Sequence, residues 1–181
     1  MIRAFVAIPL PDGHADALER LQERLPLGRT VPPENFHVTL AFLDDQPEDV
    51  LEEVHHALAD IAVPGAQVAI GPPATFGRKE PTTVIAEVAP DAALSRLRER
   101  VRGAARAAGL DLPRERFRPH VTLARIGRRP APDDIARLRD WLQAQAGFSL
   151  PPVPVNEIVL YRSTLTRSGA LHDPLERYAV A

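Results

Sequence analysis

Cysteine is absent from the 181-residue chain, and that absence removes several chemistries at once. Disulfides, thiolate metal sites, iron–sulfur clusters and a cysteine nucleophile are all excluded. Apolar residues nowhere approach the run of ~20 that a membrane span needs. The N-terminal MIRAFVAIPL is too short for a signal h-region plus cleavage site, so a cytoplasmic protein is expected. A strong net charge is missing too: the balance is −2. Bulk coating of nucleic acid needs a basic protein overall and is disfavoured. The balance hides an asymmetry, because residues 1–90 carry 6 basic and 14 acidic side chains and residues 91–181 carry 16 and 10. Between 96 and 129 stand eleven arginines against Glu99, Asp111 and Glu115. They offer a basic wall beside a phosphate or strand end, or, for Arg96 to Arg106, a solvated helix face.

What is present is an ordinary globular composition, 45% hydrophobic and 25% charged, sufficient for a real core. One feature is not ordinary. The tetrapeptide HVTL occurs at His37–Leu40 and again at His120–Leu123, each time after an aromatic residue (Phe36, Phe117) and before an apolar continuation.

Periodicity places both copies on strands. Strands are expected at 2–8, 35–43, 66–71, 82–88, 116–126 and 155–165, with LERYAV (175–180) closing the sheet. Between them, helical spacing marks DGHADALERLQERL with Asp12 as N-cap, and 47–62 with Val50, Leu51, Val54, Leu58 and Ile61 on one stripe. Helices are also expected at 91–109, capped by Asp91 and stopped by Gly109, and at 133–147. The order strand–helix–strand–helix–strand thus appears twice, with HVTL on the middle strand each time. That is an internal repeat of about 80 residues. We expect one two-lobed domain over 1–181, its repeat halves roughly 1–75 and 76–181. The fold class is α+β, with antiparallel sheets lining a central cleft and helices outside.

On a strand, residues i and i+2 share a face. His37 and Thr39 therefore point one way, as do His120 and Thr122, while Val38, Leu40, Val121 and Leu123 point toward the helices. Packing alone would not require the polar residues of the two copies to match. Two opposed imidazoles suit general acid–base catalysis, one taking a proton from water and the other protonating a leaving oxygen. Threonine hydroxyls can donate to the non-bridging oxygens of a phosphate. The substrate this suits is an activated phosphodiester such as a strained cyclic phosphate, opened without cofactor or metal. Zinc is the rival, but no H-E-x-x-H spacing, cysteine or carboxylate accompanies either motif. His14, His55 and His56 are expected on the solvated surface.

The two His-x-Thr motifs resemble those of the two-histidine phosphoesterase superfamily, and in detail the bacterial and archaeal RNA 2′,3′-cyclic phosphodiesterases, also called 2′-5′ RNA ligases. The resemblance extends through RAFVAIPLP (3–11), ENFHVTLAFL (34–43), FGRKEPTTV (76–84), FRPHVTLAR (117–125) and IVLYRSTLTRSGALHDPLERY (158–178). Two departures stand out: Asp44 where the family usually has glycine, expected to alter only the turn at the strand exit, and His172 where it usually has an aromatic. The resemblance implies a bilobal α+β fold and metal-independent hydrolysis of RNA 2′,3′-cyclic phosphate ends to 2′-phosphates. The same chemistry can join such an end to a 5′-hydroxyl in a reversible 2′-5′ ligation, and a monomer is expected. It implies His37 as proton donor and His120 as proton acceptor, an assignment the near-symmetric halves do not make by themselves. Thr39 and Thr122 would hold the phosphate. Arg125 is a candidate phosphate or strand-end contact, although its odd offset from His120 points it away unless the strand bulges. Phe42 stands at the same odd offset from His37, where a core role competes with stacking on a base. Alternatives are a phosphodiesterase for small cyclic nucleotides or ADP-ribose cyclic phosphates, and a non-catalytic RNA-end binding module. The loops 28–34, 44–47, 127–132 and 166–173 would set the choice.

Overall fold

A computed structural model describes every residue except Arg78, Arg128, Arg167, Ser168 and Ala181. The expected element order is found, with additions. It runs β1 (Ile2–Pro9), α1 (Asp12–Gln22), β2 (Arg29–Thr30), a 3₁₀ turn (Pro33–Asn35), β3 (His37–Gln46), α2 (Glu48–Ala59), β4 (Gln67–Val68) and β5 (Ile70–Phe76). It continues with β6 (Thr83–Val88), α3 (Ala92–Ala107), β7 (His120–Arg125), α4 (Pro132–Ala144), β8 (Val153–Pro154), β9 (Glu157–Thr166) and β10 (Gly169–Ala179). Asp91 caps α3 by accepting the Leu94 N–H, and Gly109 follows at φ +89, where a β-carbon would be strained. At α1 the cap differs: Pro11 holds the N-cap position without a side-chain bond and Asp12 begins the first turn. Strand β7 starts at His120 rather than 116. Pro119 has no N–H to give the ladder, so regular pairing begins one residue later.

Seven strands form one continuous antiparallel path in the order β10-β9-β1-β3-β7-β6-β5, with β2 adding to β7, and β4 pairs with β8 alone. The two motif strands lie at the centre of that path. Among the described residues their ladder consists of one pair, Val38 opposite Val121, so the sheet consists of two lobes joined at a seam. Flanking the seam, β1 pairs with β3 and β6 with β7. Each third strand then comes from the other half of the sequence: β9 pairs with β1, and β5 with β6.

One face of this sheet is dry. Val38, Leu40, Val121 and Leu123 are all at most 2% exposed, among Ala4, Val6, Ile8 and the stripe Leu51, Val54, Leu58 and Ile61 of α2 and its exit. Helix α3 lays Leu94, Leu97 and Val101 into the same core and packs on α2 and β3. The period-2 pattern of the strands thus meets the 3.6-period stripes of the helices on one side and leaves His37, Thr39, His120 and Thr122 half-buried on the other.

Candidate active site

Register about the Val38–Val121 pair sets His37 across from Thr122 and Thr39 across from His120. The two histidines are held in the same way. His37 Nδ1 lies 2.8 Å from the Asn35 carbonyl oxygen, and His120 Nδ1 lies 2.7 Å from that of Arg118, two residues upstream in each case. A carbonyl can only accept, so both Nδ1 atoms carry hydrogen and the neutral rings present a bare Nε2. An aromatic ring backs each one: Phe5 of β1 at 4.9 Å from His37, and Phe76 of β5 at 4.7 Å from His120, edge-on. Arg118 lies over the Phe76 ring, 4.6 Å from its centroid. Neither threonine hydroxyl has a hydrogen-bond partner among the described residues.

The odd offsets of Phe42 and Arg125 are resolved by bulges. Against β6, Val84 pairs with Ala124 and Ile85 with Thr122, which leaves Leu123 as an extra residue. Against β1, Val6 pairs with Ala41 and Ala7 with Thr39, which leaves Leu40 extra. Each bulge buries two consecutive residues and reverses the parity of the strand beyond it. Arg125 therefore returns to the face of His120, and Phe42 to that of His37, where it is 57% exposed and 5.8 Å from Phe5. The expected core role of Phe42 is not found. The Leu123 bulge is pinned: its carbonyl accepts the Gln22 amide at 2.6 Å and the Val31 N–H at 2.8 Å.

Burial dominates the electrostatics. It pushes His37 down to about 4, and the positive charges of His172, His120 and Arg125 add to that against the opposing Asn35 carbonyl. His120 is lowered as well, by burial and then by Arg118 and Arg125. Both rings are thus neutral in the empty site near pH 7, and Arg125 acts on both.

Several groups here were not anticipated. Phe5, Tyr161 and Phe76 build the walls, Tyr161 being stacked on Phe5 at 5.1 Å. His172 of β10 stands edge-on to His37 at 5.3 Å. The Asn35 amide donates to the Ala170 carbonyl at 2.8 Å and ties β10 to the turn that carries His37. Asp44 does not mark the strand exit: β3 runs on to Gln46, and Asp44 adopts φ +57, a conformation glycine would take without strain. The other histidines differ from expectation in part. His14 is buried, with Nε2 2.9 Å from the Pro151 carbonyl, and His55 contacts the Tyr178 hydroxyl at 2.9 Å. On α3, Arg98 and Arg102 are buried rather than solvated, Arg98 lying 4.8 Å over Phe117. Among the described residues no three His, Asp or Glu side chains are grouped to hold a metal ion, and no helix is long and apolar enough to cross a membrane. Arg128, Arg167 and Ser168, in two of the loops expected to shape the cleft, lie outside the described residues.

A curled antiparallel sheet with paired His-x-Thr strands at its seam defines the site, and solved structures share the fold. The chain is similar in fold to Escherichia coli LigT complexed with 3′-AMP, with a TM-score of 0.79 at 23% identity over 99% of this chain and 98% of that one. It is similar also to the protein TT0787 of Thermus thermophilus, with a TM-score of 0.77 at 26% identity and the same coverage. The model of the 2′-5′ RNA ligase superfamily matches residues 10–167, and the chain belongs to that family. It is 34% identical over 150 residues to the RNA 2′,3′-cyclic phosphodiesterase of Aeropyrum pernix, which covers 81% of this chain and 83% of that protein. It is also 34% identical over 171 residues to the protein of the same name from Geobacillus stearothermophilus. That match takes in 91% of this chain but 53% of the relative, so the chain spans about half the length of that protein.

Proposed function

We propose that this chain hydrolyses RNA 2′,3′-cyclic phosphodiester ends to 2′-phosphomonoesters, by acid–base catalysis between His37 and His120. The observation that carries the reading is the matched pair of rings, each with Nδ1 tied to a carbonyl and Nε2 free, on two strands joined at one seam. Water attacks phosphorus and gives its proton to Nε2 of His120. The P–O3′ bond breaks, and O3′ takes the proton from Nε2 of His37. The pair ends with its proton transposed and is reset by exchange with solvent. A 5′-hydroxyl in place of the water attacks the same cyclic phosphate, gives its proton to His120 and, as the P–O3′ bond breaks, leaves a 2′-5′ linkage. Thr39 and Thr122, with unengaged hydroxyls, donate to the non-bridging oxygens as charge develops there. Arg125 supplies a fixed positive charge beside both rings, and Phe42 offers an exposed face on which a base stacks.

This assignment requires His37 to be charged when the substrate is bound, although burial holds it near 4 in the empty site. The phosphodiester anion supplies the difference, because a negative charge at the ring favours imidazolium. Both histidines come from one chain, which supports a monomer, and a cysteine-free fold suits the cytoplasm. The repeat halves act as one two-lobed domain, since the proton path crosses their seam.

The test incubates purified protein, in excess EDTA, with an oligonucleotide ending in a 2′,3′-cyclic phosphate. Expected is a 2′-phosphomonoester product with full activity in chelator. A requirement for a divalent ion, or a 3′-phosphate product, overturns the mechanism. A diester with a nitrophenyl leaving group then separates the roles. It needs little protonation and rescues the variant that lacks the acid, expected to be His37→Ala. Rescue of His120→Ala instead reverses acid and base.

A further inference from the structure

His172 belongs to no part of the mechanism above, yet it stands inside the site. Its ring centroid lies 5.3 Å from that of His37 and 4.8 Å from that of Phe5, edge-on in both contacts. Strand pairing places it on the site face, opposite Ser163 and two residues before Pro174, which faces Tyr161. Its Nδ1 is sealed from solvent and has no hydrogen-bond partner among the described residues. Its Nε2 is not sealed, and no described residue engages it. An unpaired buried nitrogen is rare in folded proteins. If the position only had to pack against Phe5 and His37, a carbon ring would fill it without that cost.

We propose that His172 is a third substrate-contacting histidine, whose Nε2 hydrogen-bonds the ribose–phosphate of the nucleotide held at His37. This rests on the reading of the site given above. The His172 ring stands next to that of His37, 5.3 Å between centroids, so a ribose–phosphate held at His37 Nε2 has His172 as its neighbour in the cleft. One residue links the two histidines: the Asn35 carbonyl takes the His37 Nδ1 hydrogen, and the Asn35 amide holds the Ala170 carbonyl, two residues before His172. The charged and titratable groups around the ring are His37 on β3, Arg125 on β7, Tyr161 on β9 and Asp173 on β10. Burial and Arg125 favour its neutral form. Asp173 opposes them, but its carboxylate is shared with Arg162 at 3.0 Å. A neutral imidazole offers a hydrogen bond without adding a third positive charge that would compete with His37 for the proton.

The experiment compares wild type with His172→Phe, which keeps the ring and loses the nitrogens, and His172→Gln, which keeps a polar end and loses the ring. For a nucleoside 2′,3′-cyclic phosphate, His172→Phe is expected to raise KM about tenfold, the size of one hydrogen bond to substrate. Its kcat stays near wild type, and His172→Gln recovers most of the KM. The Phe variant should melt no lower than wild type, since it removes the sealed nitrogen, so misfolding does not mimic the effect. Wild-type KM in His172→Phe, or equal losses in both variants, overturns the proposal and leaves His172 a packing residue. Calorimetric binding of a nucleoside 2′-monophosphate to the same three proteins needs no turnover. If wild type hydrolyses nothing but His172→Phe alone binds weakly, the hydrolase reading fails and the His172 contact stands. If wild type hydrolyses and all three bind alike, the contact fails and the hydrolase stands.

Discussion

A histidine that is hard to charge suits the proposed reaction in a particular way: its ring stays neutral until an anion arrives. The depressed affinity of His37 for a proton also has a cost in the fold that can be measured. Its folded value of about 4 lies below the ordinary 6.5, so between those limits the unfolded chain binds a proton that the native state refuses. Stability is therefore lost as pH falls from 6.5 toward 4, by about 3 kcal/mol at most from this group, and the loss levels off below that. His120 and His172 contribute in the same direction. Denaturant unfolding of wild type and His37→Phe at pH 7 and pH 4.5 checks this; the variant should lose less on acidification, and equal losses would show that burial is not the cause. In turnover, His37→Ala and His120→Ala should each lower kcat by roughly 10²–10⁴, the contribution of a positioned acid or base. Their double variant should fall well short of the product of the two losses. At this scale the sequence was readable where identity repeated: His-x-Thr on twin strands named both rings and both hydroxyls. His172 was visible only as a departure, because nothing local says that a residue 135 positions from His37 in the chain will stand beside it.

Among the elements, the bulge does most to shape the site. Strict alternation sends Phe42 and Arg125 into the core, and the extra residues Leu40 and Leu123 bring them back. The signal was present but short. The shared run is HVTLA rather than HVTL, and two adjacent apolar residues after an alternating pair break the period-2 pattern in both copies. What cannot be read locally is the support. Gln22, at the end of α1, spans 101 residues to hold the Leu123 carbonyl. Gln22→Leu leaves that carbonyl with the Val31 N–H alone and is expected to destabilise the fold by about 1–3 kcal/mol, the cost of a buried polar group losing its partner. If the bulge then relaxes, Arg125 turns from the cleft and KM rises with little change at the histidines. A variant as stable and as active as wild type would show that β2 alone holds the bulge.

At the scale of the molecule, the repeat read along the chain differs from the way its parts assemble. The sequence divides near residue 76, but the sheet gives β9 to β1 and β5 to β6, so each lobe is completed by a strand from the other half. Helix periods, the Asp91 cap and strand positions were legible because local sequence sets them. Pairing across the seam was not, because it depends on contacts far apart in sequence. The exchange has a thermodynamic consequence. A chain ending at residue 75 keeps β1, β3 and most of β5, yet β1 lacks β9, β5 lacks β6, and Val38 loses Val121. Leu94, Leu97 and Val101 of α3 are withdrawn from the core as well, at about 1.5–3 kcal/mol for each large side chain left exposed. A domain is stable by only about 5–15 kcal/mol, so the loss exceeds what the half can hold. Residues 1–75 expressed alone should show no cooperative thermal transition, and the full chain should unfold in one step followed identically by near- and far-ultraviolet circular dichroism. Two resolved transitions in the full chain, or a folded 1–75 fragment, would mean that the lobes are independent units in contact. The interlocked alternative ties the proposed catalysis to folding directly: His37 and His120 flank the residue pair that joins the lobes, so no lobe can open without separating the proposed acid from the proposed base.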